Sequence, residues 1–257
     1  MAVQITRKAG AGDARNPRVP FKEPGSAQPM IRLSALAFQG VSGDPVSALT
    51  SPEGALALGM GGSGTPARFE YTPSGVPVIG FDASLEGETP VRRPTVYRTS
   101  GAGLGIAPKT LLAVVRLVRW PTSTDSTSAN ESALHITRAS IEYSETVCII
   151  RPTAAAASAK RLAMRGGSGS FLYGPEFPDD GELHFVAAVF DGTEGRLYLD
   201  NSVTTGAITP PSQRHFVNGY ALNGGYYQLA ESAHYAEALT PLQIQAKRQH
   251  YRALYGF

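Results

Sequence analysis

The chain has 257 residues, enough to bury a large core as one β-sandwich with an extension or as two small domains. Its 28 glycines and 19 prolines exceed average usage and its 17% of charged residues falls below it, a mix that suits short strands between turns and suits a long helical bundle poorly. The net charge of +2 makes no global case for nucleic-acid or membrane binding, no run of about 18 apolar residues marks a transmembrane helix, and the opening MAVQITRKAGAG lacks the apolar centre of a secretion signal.

Residues 1–30 show no sustained hydrophobic period and carry prolines at 17, 20, 24 and 29. They read as an extended basic arm with no core of its own, which gains order only against a partner. Arg7, Lys8, Arg15, Arg18 and Phe21 are its candidate partner contacts; the plainer reading, given more weight from sequence alone, is a disordered tail whose basic residues serve solubility. Ile31, Leu33, Ala35 and Ala37 alternate as a first strand, and 55–58 is a second. Gly59-Met60-Gly61-Gly62-Ser63-Gly64 fits G-x-G-x-x-G, but Thr65-Pro66 follows where a dinucleotide site needs a helix to open, so a glycine loop between strands is the better account. Arg68-Phe69-Glu70-Tyr71, 76–83 and 95–98 are further strands.

The stretch 109–120, KTLLAVVRLVRW, is the strongest strand by composition. Alternation assigns Leu111, Ala113, Val115 and Leu117 to one face and Leu112, Val114, Arg116, Val118 and Trp120 to the other. Short strands follow at 135–137, 140–143 and 147–150, where Cys148, the lone cysteine, reads as a core thiol rather than a nucleophile. The Ala-rich 154–164 fits either a short helix or a strand edge. Phe171-Leu172-Tyr173 is a short strand, and 183–201 is a hairpin: an apolar run to Phe190, a turn at 191–195, then Leu197 and Leu199 alternating with Arg196, Tyr198 and Asp200. Strands at 213–217 and 226–235 complete the set. The C-terminus is a helix, with Thr240-Pro241-Leu242-Gln243 as its capping box, Ile244, Arg248, Tyr251, Leu254 and Tyr255 at helical spacing, and Gly256 as its stop.

Two of these segments resemble a known family. His184-Phe185-Val186, leading to Val189-Phe190-Asp191-Gly192 and then Leu197-Tyr198-Leu199-Asp200-Asn201, is similar to the central hairpin of laminin-G-like, concanavalin-A-like jelly rolls. Ala238-Leu239-Thr240-Pro241-Leu242-Gln243-Ile244 resembles the way those domains end, and Trp120-Pro121 the way they open. The likeness covers 76–257. It implies an all-β, antiparallel jelly-roll sandwich over 31–257, with the arm at 1–30 and a short C-terminal α-helix. This fold hosts lectins, glycosidases and structural modules alike.

Glycosidases of this fold set paired carboxylates on one strand face as Glu-x-Asp-x-(x)-Glu. The chain lacks that motif, and Glu142-Tyr143-Ser144-Glu145 points its acids to opposite faces, so no enzyme activity and no catalytic residue are expected. His135, His184, His215, His234 and His250 are scattered without metal-ligand spacing and read as structural. The resemblance allows a calcium site on a rim aspartate, to which Asp82, Asp125, Asp191 and Asp200 could contribute; none maps onto the family's position, so no metal or cofactor is assigned. YALNGGYY at 220–227 offers Tyr220, Asn223, Tyr226 and Tyr227 as glycan contacts, since tyrosine rings stack on sugar faces and amides bond hydroxyls. Against this stands the reading, given more weight, that the tyrosines pack in a hairpin turning at Asn223-Gly224.

Together with the missing signal and disulfides, the resemblance implies a non-enzymatic virion protein of a tailed bacteriophage, a head-decoration or tail-associated component. Its arm would clamp neighbouring virion subunits in an oligomeric assembly, and its sandwich would face surfaces or glycans. The alternative is a free-standing carbohydrate-binding module.

Overall fold

A computed structural model of the chain describes residues 27–38, 40–46, 48–50, 57–60, 67–82, 97–99, 109–120, 134–138, 146–150, 160–166, 170–192, 194–209, 217–220 and 225–257. Sixteen strands and one α-helix lie within them: β1 (Ile31–Ser34), β2 (Ala48–Thr50), β3 (Ala57–Met60), β4 (Arg68–Tyr71), β5 (Pro77–Asp82), β6 (Tyr97–Thr99), β7 (Thr110–Arg119), β8 (Leu134–Arg138), β9 (Thr146–Ile150), β10 (Arg161–Arg165), β11 (Phe171–Glu176), β12 (Leu183–Asp191), β13 (Glu194–Leu199), β14 (Ser202–Ala207), β15 (Val217–Tyr220), β16 (Tyr226–Tyr235) and α1 (Pro241–Tyr255). The strands form two eight-stranded sheets. Sheet A runs β14-β13-β12-β7-β16-β5-β4 with β1 also on β16, and sheet B runs β11-β10-β9-β8-β15-β6-β3-β2. Every pairing within them is antiparallel, as expected of a jelly-roll sandwich.

Sheet A is apolar on both faces because it is the middle of three layers. Leu111, Ala113, Val115 and Leu117 of β7, with Val186, Ala188 and Phe190 of β12, meet Val147, Leu162 and Met164 of sheet B. The alternate residues Leu112, Val114, Phe185, Ala187 and Val189 meet Ile244, Tyr251 and Tyr255 of α1. Each large side chain so buried is worth about 1.5–3 kcal/mol. The helix begins at the capping box: Thr240 accepts from the Gln243 N–H, and the Gln243 side chain accepts from the Thr240 N–H at 2.8 Å. Gly256 ends it at φ 75°, a conformation that favours glycine. Sequence spacing missed one core-facing position, Lys247. It is buried, donates to the Ala27 carbonyl at 3.1 Å and lies 5.0 Å from the centre of the Tyr235 ring.

Two bulges reset the alternation that sequence reading assumes. In β16, Leu229 pairs with Val115 and Glu231 with Val114, leaving Ala230 as an extra residue. Beyond it Ser232 and His234 pair with the inter-sheet residues Ala113 and Leu111, while Glu231 turns to the helix side. In β7, Tyr226 opposes Arg119 and Tyr227 opposes Leu117, so Val118 is extra. Trp120 consequently packs on the inter-sheet core, not with Leu112 and Val114 as strict alternation requires.

The segment 161–165 resolves the Ala-rich ambiguity as strand β10; residues 151–159 lie outside the described part. After the 183–201 hairpin the chain returns as β14, which alternation of polar residues had concealed. Tyr220 and Tyr226 do not face each other across a hairpin: β15 belongs to sheet B and β16 to sheet A.

Candidate functional site

The helix covers only part of the outer face of sheet A. Its uncovered part is polar, and register fixes which residues share it. Arg68, Gly80, Gln228 and Arg116 form one row across β4, β5, β16 and β7, each directly paired with the next. Asp82, Tyr226 and Arg119 form a second row on the same face. Directly paired residues project to the same side, and alternation buries their neighbours Phe69, Ile79, Phe81, Leu117 and Tyr227 in the inter-sheet core.

One hydrogen-bond network joins the two rows. Tyr226 donates its phenol to Glu70 Oε2, and Gln228 donates its amide to the same oxygen at 2.7 Å. Arg116 donates to Gln228 Oε1 at 2.9 Å and to the Gly181 carbonyl. The Gln228 amide is thereby fixed in orientation, its oxygen toward a guanidinium and its nitrogen toward a carboxylate. Arg119 pairs with Asp82 at 2.5 Å, and its guanidinium lies 5.8 Å from the centre of the Tyr226 ring. Burial, and then the Glu70 carboxylate, push the Tyr226 phenol above its ordinary pKa, so it stays a protonated donor. Gly80 leaves room for this carboxylate: a Cβ would lie 2.5 Å from Glu70 Oε2 and would displace the Glu70 side chain.

Beside Arg116 the face opens into a cleft of about 320 Å³, lined among others by Thr72, Ser74, Asp180, Glu182 and Phe257. Its Asp180 wall is braced by His184, whose Nε2 lies 3.0 Å from Asp180 Oδ1 and whose Nδ1 lies 2.7 Å from Asp200 Oδ2. Burial lowers the His184 pKa, but Asp200 and Asp180 outweigh it and hold it above the usual histidine value. Asp200 accepts from the Phe185 N–H at 2.9 Å, a bond that helps hold its left-handed backbone at φ 49°. His184 is thus a bonded structural histidine.

The sequence candidates separate sharply. Tyr226 sits half-buried on the exposed face. Tyr227, proposed beside it, is fully buried in the inter-sheet core, stacked on Phe81 at 4.9 Å, where no glycan can reach it. Consecutive strand residues face opposite ways, and this is the packing half of the earlier alternative. Tyr220 is placed only as a residue of β15, in the other sheet from Tyr226. Asn223, Arg7, Lys8, Arg15, Arg18 and Phe21 lie outside the described residues. Glu70, Gly80, Arg116, Arg119 and Gln228 do not stand out as site residues in the sequence, where the only local signal is that each interrupts an apolar strand. Of the rim aspartates considered for calcium, Asp82 pairs with Arg119, Asp191 with Arg196 at 3.5 Å and Asp200 with His184, and Asp125 lies outside the described part. Among the described residues no cluster of three metal-ligating side chains occurs.

No family model matches the chain, and no curated protein matches it in sequence. Solved structures do match in shape. The botulinum neurotoxin type G receptor binding domain aligns over 88% of this chain and 52% of its own, at a TM-score of 0.53 and 10% identity. The binding domain of botulinum neurotoxin DC in complex with SialylT aligns over 83% and 51%, at 0.51 and 8%. A Trypanosoma rangeli sialidase in complex with sialic acid aligns over 84% and 32%, at 0.46 and 11%, too loosely to carry an argument. The chain therefore spans about half the length of the first two neighbours. At such identities the likeness establishes the fold, a jelly-roll β-sandwich, and nothing of activity.

Proposed function

We propose that the chain is a non-catalytic, glycan-binding module that takes its ligand on the helix-free outer face of sheet A. The observation behind this is the fixed network of Glu70, Gln228, Arg116 and Tyr226, with Arg119 and Asp82 beside it, on four adjacent strands next to an open cleft. Hydroxyl-rich ligands need oriented donors and acceptors and an aromatic body, held on rigid elements so that little order is lost on binding. Tyr226 supplies the aromatic body, and Arg119, Asp82 and Glu70 supply polar groups at its edge. Each carboxylate on the face is already committed to protein donors, which suits recognition better than general acid–base chemistry. The two neurotoxin neighbours are named as binding domains, one of them in complex with SialylT, which agrees with a recognition role. No observation favours a place in a phage virion, which rests on resemblance alone.

The test is a glycan array followed by isothermal titration on the full chain. Saturable binding to at least one glycan, lost in Tyr226→Ala, is the expected result. Absence of binding across the array, or binding that survives Tyr226→Ala undiminished, overturns the proposal. Tyr227→Ala is no substitute, because it excavates the core.

A further inference from the structure

We infer that the ligand of this face bears a carboxylate, an acidic oligosaccharide rather than a neutral one, whose charge is met by Arg68 and Arg116. The inference rests on the glycan reading above and names its ligand class. It follows from how the charges of the face are spent. Three guanidiniums, Arg68, Arg116 and Arg119, share the surface with two carboxylates, Glu70 and Asp82. Asp82 is paired with Arg119, and Glu70 takes the Tyr226 and Gln228 donors. Among the described residues the Arg68 side chain has no hydrogen bond or ion pair, and the Arg116 side chain bonds only neutral acceptors, the Gly181 carbonyl and Gln228 Oε1.

Arg116 is half-buried. A cation partly withdrawn from water and given only neutral partners is usually matched by an anion, and its remaining Nη2 is free to make a charge-assisted bond. A guanidinium fork fits a carboxylate in two parallel hydrogen bonds. Arg68 and Arg116 stand at the two ends of one register row, with Gly80 and the buried Gln228 as the floor between them. At about 4.8 Å per strand, three steps put their Cα atoms about 14 Å apart. A chain of sugar units laid along the row would therefore meet a guanidinium at each end. Of the nearby carboxylates, Glu70 leans over Gly80 with one oxygen shared by two donors, Asp180 is exposed and bonded to His184, and Glu182 is exposed next to Gly181, whose carbonyl Arg116 bonds.

The test is isothermal titration of the full chain with three probes of equal length: oligogalacturonate, neutral oligogalactose and sulfated oligogalactose. The expected result is about tenfold tighter binding of the uronate than of the neutral oligomer, the effect of one charge-assisted contact. In Arg68→Gln and in Arg116→Gln the uronate-to-neutral affinity ratio is expected to fall toward one. Arg116 also braces the Gly181 loop, so the exposed Arg68→Gln, checked for an unchanged melting temperature, keeps the test independent of folding. Equal affinity for uronate and neutral oligomers, or a ratio unmoved by Arg68→Gln, overturns the inference and leaves the glycan site standing. Sulfated oligomer binding tighter than the uronate overturns the carboxylate assignment. Failure of all three probes, with none retained on the array, overturns the glycan reading itself.

Discussion

Replacing Glu231 by glutamine is the sharpest test of the packing between sheet A and α1. The bulge at Ala230 turns Glu231 to the helix side, where it is fully buried. There it accepts from Arg32 Nε at 2.6 Å, and Tyr255 donates to its second oxygen. Arg32 is itself only 3% exposed. Burial alone would lower the Arg32 pKa, but Glu231 outweighs it and holds the guanidinium charged, while burial and then Glu231 raise the Tyr255 phenol. Glu231→Gln keeps the shape and removes the negative charge that the buried Arg32 guanidinium faces. Breaking a buried pair in this way costs about 3–5 kcal/mol, a large share of the roughly 5–15 kcal/mol that holds a domain together. The assay is urea unfolding followed by the single tryptophan, Trp120, which packs on the inter-sheet core, with circular dichroism as the second probe. The combined variant Arg32→Met, Glu231→Leu removes both charges and is expected to recover most of the loss. A Glu231→Gln midpoint corresponding to less than about 1 kcal/mol would refute the reasoning, since such pairs are worth that little only when solvated.

Lys247→Met keeps the buried stem but orphans the Ala27 carbonyl, a loss of about 1–3 kcal/mol; hydrogen exchange should quicken at Met30, whose N–H donates to the His234 carbonyl, and unchanged exchange there would show that Lys247 does not hold this segment. The two histidines of sheet A are expected to pull stability in opposite directions with pH. His184 is held above its ordinary 6.5, so its contribution is full below that value and fades as pH rises through the raised one. Burial holds His234 well below 6.5, so the unfolded chain takes up a proton that the folded chain refuses, and stability falls as pH drops below that value. Imidazole NMR titration should give His184 a midpoint above 6.5 and His234 no titration before acid unfolding; a His234 midpoint near 6.5 would contradict its burial.

Much of the fold could be read from local pattern. The 183–201 hairpin, the long strands at 109–120 and 226–235, and the capped helix each announce themselves within a dozen residues, because alternation, turn chemistry and capping are local physics. Where tertiary context decides, the reading stopped short. Strand β14 is an edge with polar residues, indistinguishable in sequence from a loop, and Lys247 looks like a solvent-facing helix residue until the chain at Ala27 closes over it. The site was less legible still. Tyr226 was visible as part of an aromatic cluster, but Glu70, Arg116 and Gln228 come from strands far apart in sequence, and only register brings them together.

The bulges explain why reading each strand by itself misplaced some of its residues. A period of two predicts a face only while every residue has one partner. The extra Val118 sends Trp120 inward and leaves Arg119 on the outer face against Tyr226, where it joins the polar rows. The extra Ala230 converts β16 from a strand whose Gln228 serves the open face into one whose Glu231 and Tyr235 serve the helix. One central strand is therefore divided between two tasks, exposing a polar surface at one end and anchoring α1 at the other. A regular β16 would carry Glu231, Ala233 and Tyr235 toward the inter-sheet core and His234 toward the helix. It would then bury a carboxylate away from Arg32, and the two inserted residues are what allow an open polar face and a helix-packing face to coexist on one sheet.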